Sequence, residues 1–162
     1  MPSWPASTEP GRYSVSIEEL YREVILDHYR KPRHSGQVAN ADVTVEGVNP
    51  SCGDELVLSL RYEDDAVADA AITGSGCSIS QASASMMTDA IIGKSLDEIT
   101  ELLGLFKRMM TITEGDAGLD PDRPGAVLGD IEALQGVRQF PVRIKCADLA
   151  WTALEDALNQ RG

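Results

Sequence analysis

The hydrophobic positions follow a helical period near the start of the chain, an alternating period in the middle, and a helical period again afterwards. Apolar side chains at three- and four-residue spacing predict a first helix over residues 17–30, which Pro32 and Gly36 end. Ser16 precedes this helix and Glu19 follows three residues later, which is the capping-box pattern. The first ordered element is therefore predicted to be an amphipathic helix.

The alternating part of the chain predicts three neighbouring β-strands, over residues 43–48, 56–61 and 67–72. Residues 49–54 (NPSCGD) have the composition of a turn, and residues 63–65 (EDD) that of a polar hairpin. Residues 73–76 (TGSG) are predicted to break the sheet. Because the links between the strands are short, the three strands are expected to form an antiparallel meander.

The rest of the chain is mostly helical in its pattern, with helices predicted over residues 78–92, 95–110, 130–134 and 146–160. Ser95 and Glu98 repeat the capping-box pattern at the start of the second of these. The stretch at 114–129 is rich in Gly, Pro and Asp, and a loop of this length is usually functional or disordered.

These elements predict an α+β fold in which a three-stranded antiparallel meander packs with about five helices. The chain has 162 residues, the size of one domain, and no internal repeat or composition shift divides it. We expect a flexible tail over residues 1–15 and a single domain over residues 16–162.

The charge of the chain narrows the classes of partner. The formal net charge is -12, which disfavours nucleic acid and anionic membrane surfaces, because phosphate binding requires clustered Lys and Arg. It suits either simple solubility or docking on a basic protein surface. Neither a secretory signal nor an apolar run long enough to cross a membrane is visible, so a cytoplasmic location is expected.

Three cysteines and one carboxylate are the candidate chemistry. Cys52 and Asp54 lie in the predicted turn, whereas Cys77 and Cys146 are each predicted to start a helix. The positive end of a helix dipole favours a thiolate, and thiolates with a carboxylate suit a tetrahedral zinc ion. The spacing is not specific, however, so buried structural cysteines with a surface Asp54 remain the alternative.

A cysteine hydrolase is a further alternative, with Cys77 as its nucleophile. Such an enzyme needs a histidine base, and the chain has only His28 and His34. Both are predicted to lie near the end of the first helix.

Four motifs occur in order along the chain: LY…ILDHYRKPRHSG over residues 20–36, NPSCGD at 49–54, GSGCSISQASAS at 74–85 and RIKCADLAW at 143–151. With these motifs the chain resembles the IscU/SufU family of iron–sulfur assembly proteins, which share the NifU N-terminal-like fold. IscU-type scaffolds carry a histidine directly before the last cysteine, where this chain has Lys145, and they lack a segment like that at 114–136. Both departures are those of the SufU type.

The resemblance implies a zinc ion on Cys52, Asp54, Cys77 and Cys146, and a sulfurtransferase-type role in which Cys52 accepts sulfur. It implies two partners, a SufS-type cysteine desulfurase that supplies persulfide sulfur and a SufBCD-type complex that receives it. Arg143 is either a charge partner near the site or a solvated side chain. Lys145 is a second candidate for a charged residue adjacent to the site.

Two alternatives to the sulfur carrier remain from the sequence. Thiolates bind iron as well as zinc, so the same residues could hold a transient 2Fe–2S cluster on an assembly scaffold. The other alternative is an adaptor whose fold is stabilised by zinc. It would bind partners through its acidic surface and carry out no reaction.

Overall fold

A computed structural model describes residues 17–50, 53–111, 127–138 and 140–161 of the protein. In chain order its elements are α1 (Ile17–Arg30), β1 (Val43–Asn49), β2 (Asp54–Glu63), β3 (Ala66–Ser75), α2 (Ser78–Ile91), α3 (Leu96–Thr111), a 3-10 helix (Gly129–Val137) and α4 (Pro141–Arg161). None of the described helices combines the length and the apolar composition that crossing a bilayer requires.

The three strands form one antiparallel sheet in the order β1-β2-β3, with a register shift between Arg61 and Tyr62. Alternate residues of β2, such as Leu56, Leu58 and Leu60, are buried on the face against which α4 packs. The predicted α+β fold, with its three-stranded meander and five helices among the described residues, is confirmed.

Helix α2 lies at the centre of the packing, between α1, α4 and β3. Its small residues allow this close approach, and Ser83 is fully buried there. The Ser83 hydroxyl donates to the Ala147 carbonyl at 2.7 Å and accepts from the Trp151 indole at 3.0 Å. These two bonds join α2 to α4 directly, and the Trp151 ring stacks on Phe106 of α3 with centroids 4.2 Å apart.

Strand β3 does not end where the sequence predicted. It continues through Ser75, so the predicted break at 73–76 is wrong for its first three residues. Gly74 is paired with Leu56, and a β-carbon at Gly74 would lie 2.2 Å from the Glu55 carbonyl oxygen. The glycine is required here because the backbones approach closely, and in the sequence alone such a glycine looks the same as one that breaks a strand.

The last helix also begins earlier than predicted, at Pro141 and not at Cys146. Proline is favoured at the first helical position, where its fixed φ fits and its missing N–H costs nothing. Cys146 therefore lies in the second turn of α4, and the prediction that it starts a helix is wrong. The short helix predicted at 130–134 is a longer 3-10 helix.

Some predictions fall on residues outside the described part of the chain, among them the capping of the first helix by Ser16. The tail at 1–15 lies there entirely, and of the loop at 114–129 only residues 127–129 are described. The single domain over residues 16–162 stays a prediction.

The capping box at the start of α3 is confirmed by two reciprocal bonds. The Ser95 hydroxyl accepts from the Glu98 N–H, and the Glu98 carboxylate accepts from the Ser95 N–H, both at 3.1 Å. These hydrogen bonds lower the pKa of Glu98. We expect Ser95→Ala to reduce the free energy of unfolding by about 1 kcal/mol at neutral pH, measured by denaturant titration.

A lowered folded-state pKa means that the contribution of Glu98 is present above its unfolded pKa and is lost as the pH falls through the folded value. The difference in free energy of unfolding between wild type and Ser95→Ala should therefore shrink as the pH falls below about 4. Thr100→Ala, on the exposed face of the same helix, is the control; an equal deficit there would contradict the capping role.

Candidate metal centre

Asp54 is the first residue of β2 and is fully buried. The predicted turn at 49–54 is therefore shorter than expected, because β1 includes Asn49 and Asn49 pairs with Asp54 in the sheet. One carboxylate oxygen of Asp54 accepts the backbone N–H of Cys77 at 2.9 Å. The carboxylate thus lies at the N-terminus of α2, where exposed N–H groups and the helix dipole favour negative charge.

Cys77 is the N-cap residue of α2, as predicted, and its side chain is half-buried. Its sulfur lies 3.9 Å from the second carboxylate oxygen of Asp54 and 3.9 Å from the Ser80 hydroxyl. The Ser80 hydroxyl donates to the Cys77 carbonyl at 3.1 Å, which holds the first turn of the helix. The thiol therefore lies beside the buried carboxylate.

Cys146 reaches the same place through α4. It is 3% exposed, and its sulfur lies 3.5 Å from the Val142 carbonyl one turn earlier. The Ser83 bond to Ala147, the next residue, fixes this turn of α4 against α2. The structure thus carries Cys146 into the site from within a helix rather than from a helix end.

Ligand atoms of Asp54, Cys77 and Cys146 all lie within 4.8 Å of one another. A tetrahedral zinc ion with Zn–S bonds of about 2.3 Å separates two sulfur ligands by about 3.8 Å. The three side chains therefore fit a zinc ion with small adjustments, and two thiolates with a carboxylate are ligands that zinc accepts. Neither Cys77 nor Cys146 is in a disulfide.

The fourth expected ligand, Cys52, lies outside the described residues, so its assignment stays a prediction. Arg143 is one turn before Cys146 on α4, is exposed, and lies over the Phe140 ring with its guanidinium carbon 5.7 Å from the centroid. Lys145 is exposed. Among the described residues no ion pair involves Arg143 or Lys145, and the place of both beside the site stays a prediction.

The histidines that a cysteine hydrolase would need are engaged elsewhere. His28 is buried, with one ring nitrogen 2.8 Å from the Ser85 hydroxyl and the other 2.6 Å from an Asp130 carboxylate oxygen. His34 pairs with Asp89, twelve residues and about 18 Å along α2 from Cys77. Neither histidine can serve as a base for Cys77 in this arrangement.

Gly76 was not predicted as a site residue, yet it bounds the carboxylate. Its φ is +151°, and a β-carbon there would lie 2.2 Å from the Asp54 carboxylate oxygen and 2.8 Å from the Ser80 hydroxyl. The position of a glycine directly before Cys77 was the available signal, although sequence alone could not show what lies opposite it. Asn49, which pairs with Asp54 in the sheet, is also buried, and the sequence pattern did not single it out.

Comparison with known proteins bears on this site. The family model described as the NifU-like N-terminal domain matches residues 20–147, which include Asp54, Cys77 and Cys146. The chain belongs to this family. The assignment agrees with the resemblance carried by the four sequence motifs.

Relatives in this family carry two kinds of name. The zinc-dependent sulfurtransferase SufU of Bacillus subtilis is 48% identical over 143 residues, covering 88% of this chain and 92% of the relative. The iron–sulfur cluster assembly scaffold protein IscU of Streptococcus pyogenes is 42% identical, covering 89% of this chain and 86% of the relative. The solved structure of FiSufU from thermophilic Fervidobacterium islandicum AW-1 has a TM-score of 0.74 at 38% identity, covering 84% and 94%.

The contact of Gly76 with Asp54 predicts a specific effect of Gly76→Ala. A methyl group there must displace the carboxylate, so we expect zinc affinity to fall by roughly tenfold or more in chelator competition, as for other residues that hold a metal ligand in place.

Gly93→Ala is the matched control. Gly93 also has a positive φ, +84°, but no atom lies within 4 Å of an added β-carbon. Both variants should lose about 1–2 kcal/mol of stability from backbone strain, whereas only Gly76→Ala should lose zinc. Equal zinc affinity in the two variants would show that the carboxylate position does not matter.

Proposed function

We propose that this protein is a zinc-dependent sulfur acceptor and carrier for iron–sulfur cluster assembly. In this proposal Cys52, Asp54, Cys77 and Cys146 hold the zinc ion, and Cys52 accepts sulfur from a SufS-type cysteine desulfurase. A SufBCD-type assembly complex then receives it. The single observation that carries the proposal is the convergence of Asp54, Cys77 and Cys146 ligand atoms within 4.8 Å.

Zinc, when bound, would hold the cysteine ligands in their thiolate form at neutral pH and would add to the stability of the fold. Asp54 and Cys146 are suited to a permanent role, because both side chains are buried. Cys52 is the sulfur acceptor in the proposal by resemblance to the SufU type. Its neighbour Gly53 is exposed, with a φ of +70°, and no described atom lies within 4 Å of a β-carbon added there.

The transfer step is an exchange between sulfur atoms. The Cys52 thiolate attacks the outer sulfur of the persulfide on the desulfurase, and a new S–S bond forms on Cys52. The S–S bond of the desulfurase breaks, and its cysteine leaves as a thiolate. Charge and oxidation state balance across the two proteins, so no external oxidant or reductant is required.

Two observations support the carrier role over that of a scaffold. Lys145 precedes Cys146 where IscU-type proteins have a histidine, so no imidazole is offered at that point of α4. The relative named zinc-dependent sulfurtransferase shares more of its sequence, at 48%, than the relative named scaffold, at 42%. The scaffold remains the second candidate, because two relatives bearing that name cover most of this chain.

The acceptor role predicts that sulfur transfer is lost when the Cys52 thiol is removed. We expect Cys52→Ala to stimulate its partner desulfurase at least tenfold less than wild type, because no thiolate can take the sulfur. Mass spectrometry after incubation with desulfurase and cysteine should show the added sulfur atom on wild type and not on Cys52→Ala. Persulfide on Cys77 or Cys146 instead would reassign the acceptor, and none on any cysteine would favour the adaptor.

The ligand role predicts that Asp54→Ala loses zinc and stability together. Removing the carboxylate leaves an incomplete shell, so zinc content by metal analysis and the thermal midpoint should both fall. Chelation of wild type should lower its midpoint similarly. Asp156→Ala, an exposed carboxylate further along α4, is the matched control and should keep its zinc. Full zinc in Asp54→Ala would refute the ligand assignment.

The scaffold alternative has its own readout. Protein purified without oxygen should be colourless if it carries zinc, whereas a bound 2Fe–2S cluster absorbs in the visible. Stoichiometric iron and sulfide with visible absorption would show that the protein is a cluster scaffold and not a sulfur carrier.

A further inference from the structure

Asn49 carries a buried amide with an unused donor. It is the last residue of β1 and is 8% exposed. Its side-chain nitrogen Nδ2 is inaccessible to solvent and has no hydrogen-bond partner among the described residues. A buried donor without an acceptor costs stability, so such groups require an explanation, often a ligand or ion that the site receives.

Asn49 lies on the same face of the sheet as the candidate metal centre. It is directly opposite Asp54 in the antiparallel register, and directly opposite residues project to the same face. Both side chains are buried, whereas their neighbours Val48 and Glu55 are exposed. The amide of Asn49 is therefore adjacent to the carboxylate that the centre uses.

Helix α4 brings Cys146 level with Asn49 on that face. Tyr62, at the far end of β2, bonds the Ala157 carbonyl, while Cys146 meets Asp54 at the near end, so α4 runs antiparallel to β1. An added β-carbon on Gly47 would lie 3.3 Å from Leu149. Asn49 lies two residues beyond Gly47 along β1, a distance of about 7 Å. Cys146 lies three residues before Leu149 along α4, a distance of about 4.5 Å in the same direction.

Cys146 changes its hydrogen-bonding needs when it binds a metal. In the structure its sulfur lies near the Val142 carbonyl, a contact that a thiol makes by donating its S–H. A sulfur that ligates a metal has no proton, so it can only accept hydrogen bonds. The Val142 carbonyl is itself an acceptor, so it cannot donate a hydrogen bond to this sulfur. A donor on the same buried face can.

We propose that Asn49 is a positioning residue of the metal centre, whose Nδ2–H donates a hydrogen bond to the metal-bound sulfur of Cys146. The proposal rests on the proposed function for the metal itself. Hydrogen bonds to sulfur ligands stabilise the charge on the sulfur and orient it. The predicted ligands, three thiolates and a carboxylate, together carry more negative charge than a divalent ion balances. An amide can stabilise the sulfur by a hydrogen bond without adding charge of its own.

The experiment uses the full-length protein loaded with cobalt(II) or with zinc, and needs no desulfurase. Asn49→Leu keeps the branched shape and removes the donor. We expect its sulfur-to-cobalt charge-transfer band to move to longer wavelength, because a sulfur without the hydrogen bond is easier to oxidise. We also expect zinc affinity to fall by about tenfold to a hundredfold in chelator competition. The metal-free protein should be no less stable, because its buried donor was unpaired.

Two further variants complete the test. Asn49→Ala removes the amide without adding a group that binds metal, and should show the same losses if Asn49→Leu does not fold. Asn159→Ala makes the same change at an exposed position near the end of α4 and should leave the band and the affinity as in wild type.

An unchanged band and affinity in the Asn49 variants would overturn the inference and leave the proposed function standing. Equal destabilisation of the metal-free and metal-bound forms would reduce Asn49 to a structural residue and overturn it as well. If wild type takes up no metal on its cysteines, both the inference and the proposed function fail.

Discussion

The structure depends on one buried carboxylate and the groups that make its burial tolerable. Asp54 has no exposed surface, and a buried carboxylate is costly unless it is hydrogen-bonded or binds a cation. The Cys77 N–H at the start of α2 supplies one bond, and Gly76 leaves room for the oxygen that accepts it. The β3–α2 connection is therefore built around Asp54, and Cys77 is placed beside the carboxylate as a result.

The packing of α2 against α4 brings the other described sulfur to the same point. Ser83 accepts from Trp151 and donates to Ala147, so the turn of α4 that contains Cys146 is bonded to the centre of α2. Polar bonds inside an apolar interface fix its register more closely than apolar contact alone, because a shift would leave buried groups unpaired. The geometry of the centre is thus set by contacts that are not part of it.

The sequence predicted the fold class, the meander and the α3 capping box, because these follow from local periodicity and from short links. It misjudged residues whose role depends on what lies opposite them. Gly74 and Gly76 together predict a break, although one permits close strand pairing and the other makes space for Asp54. The pattern predicts Cys146 at a helix end, whereas the helix begins at Pro141.

What the sequence determined by itself was the set of donors, thiols and a carboxylate, and the order of the strands and helices along the chain that carry them. Only the tertiary structure decided that Asp54 is buried, that Cys146 lies within α4 beside it, and that Asn49 is buried on the same face of the sheet as Asp54. The physical reason is that burial and cross-element distances arise when the sheet register and helix packing are combined. Neither appears in the spacing of residues along the chain.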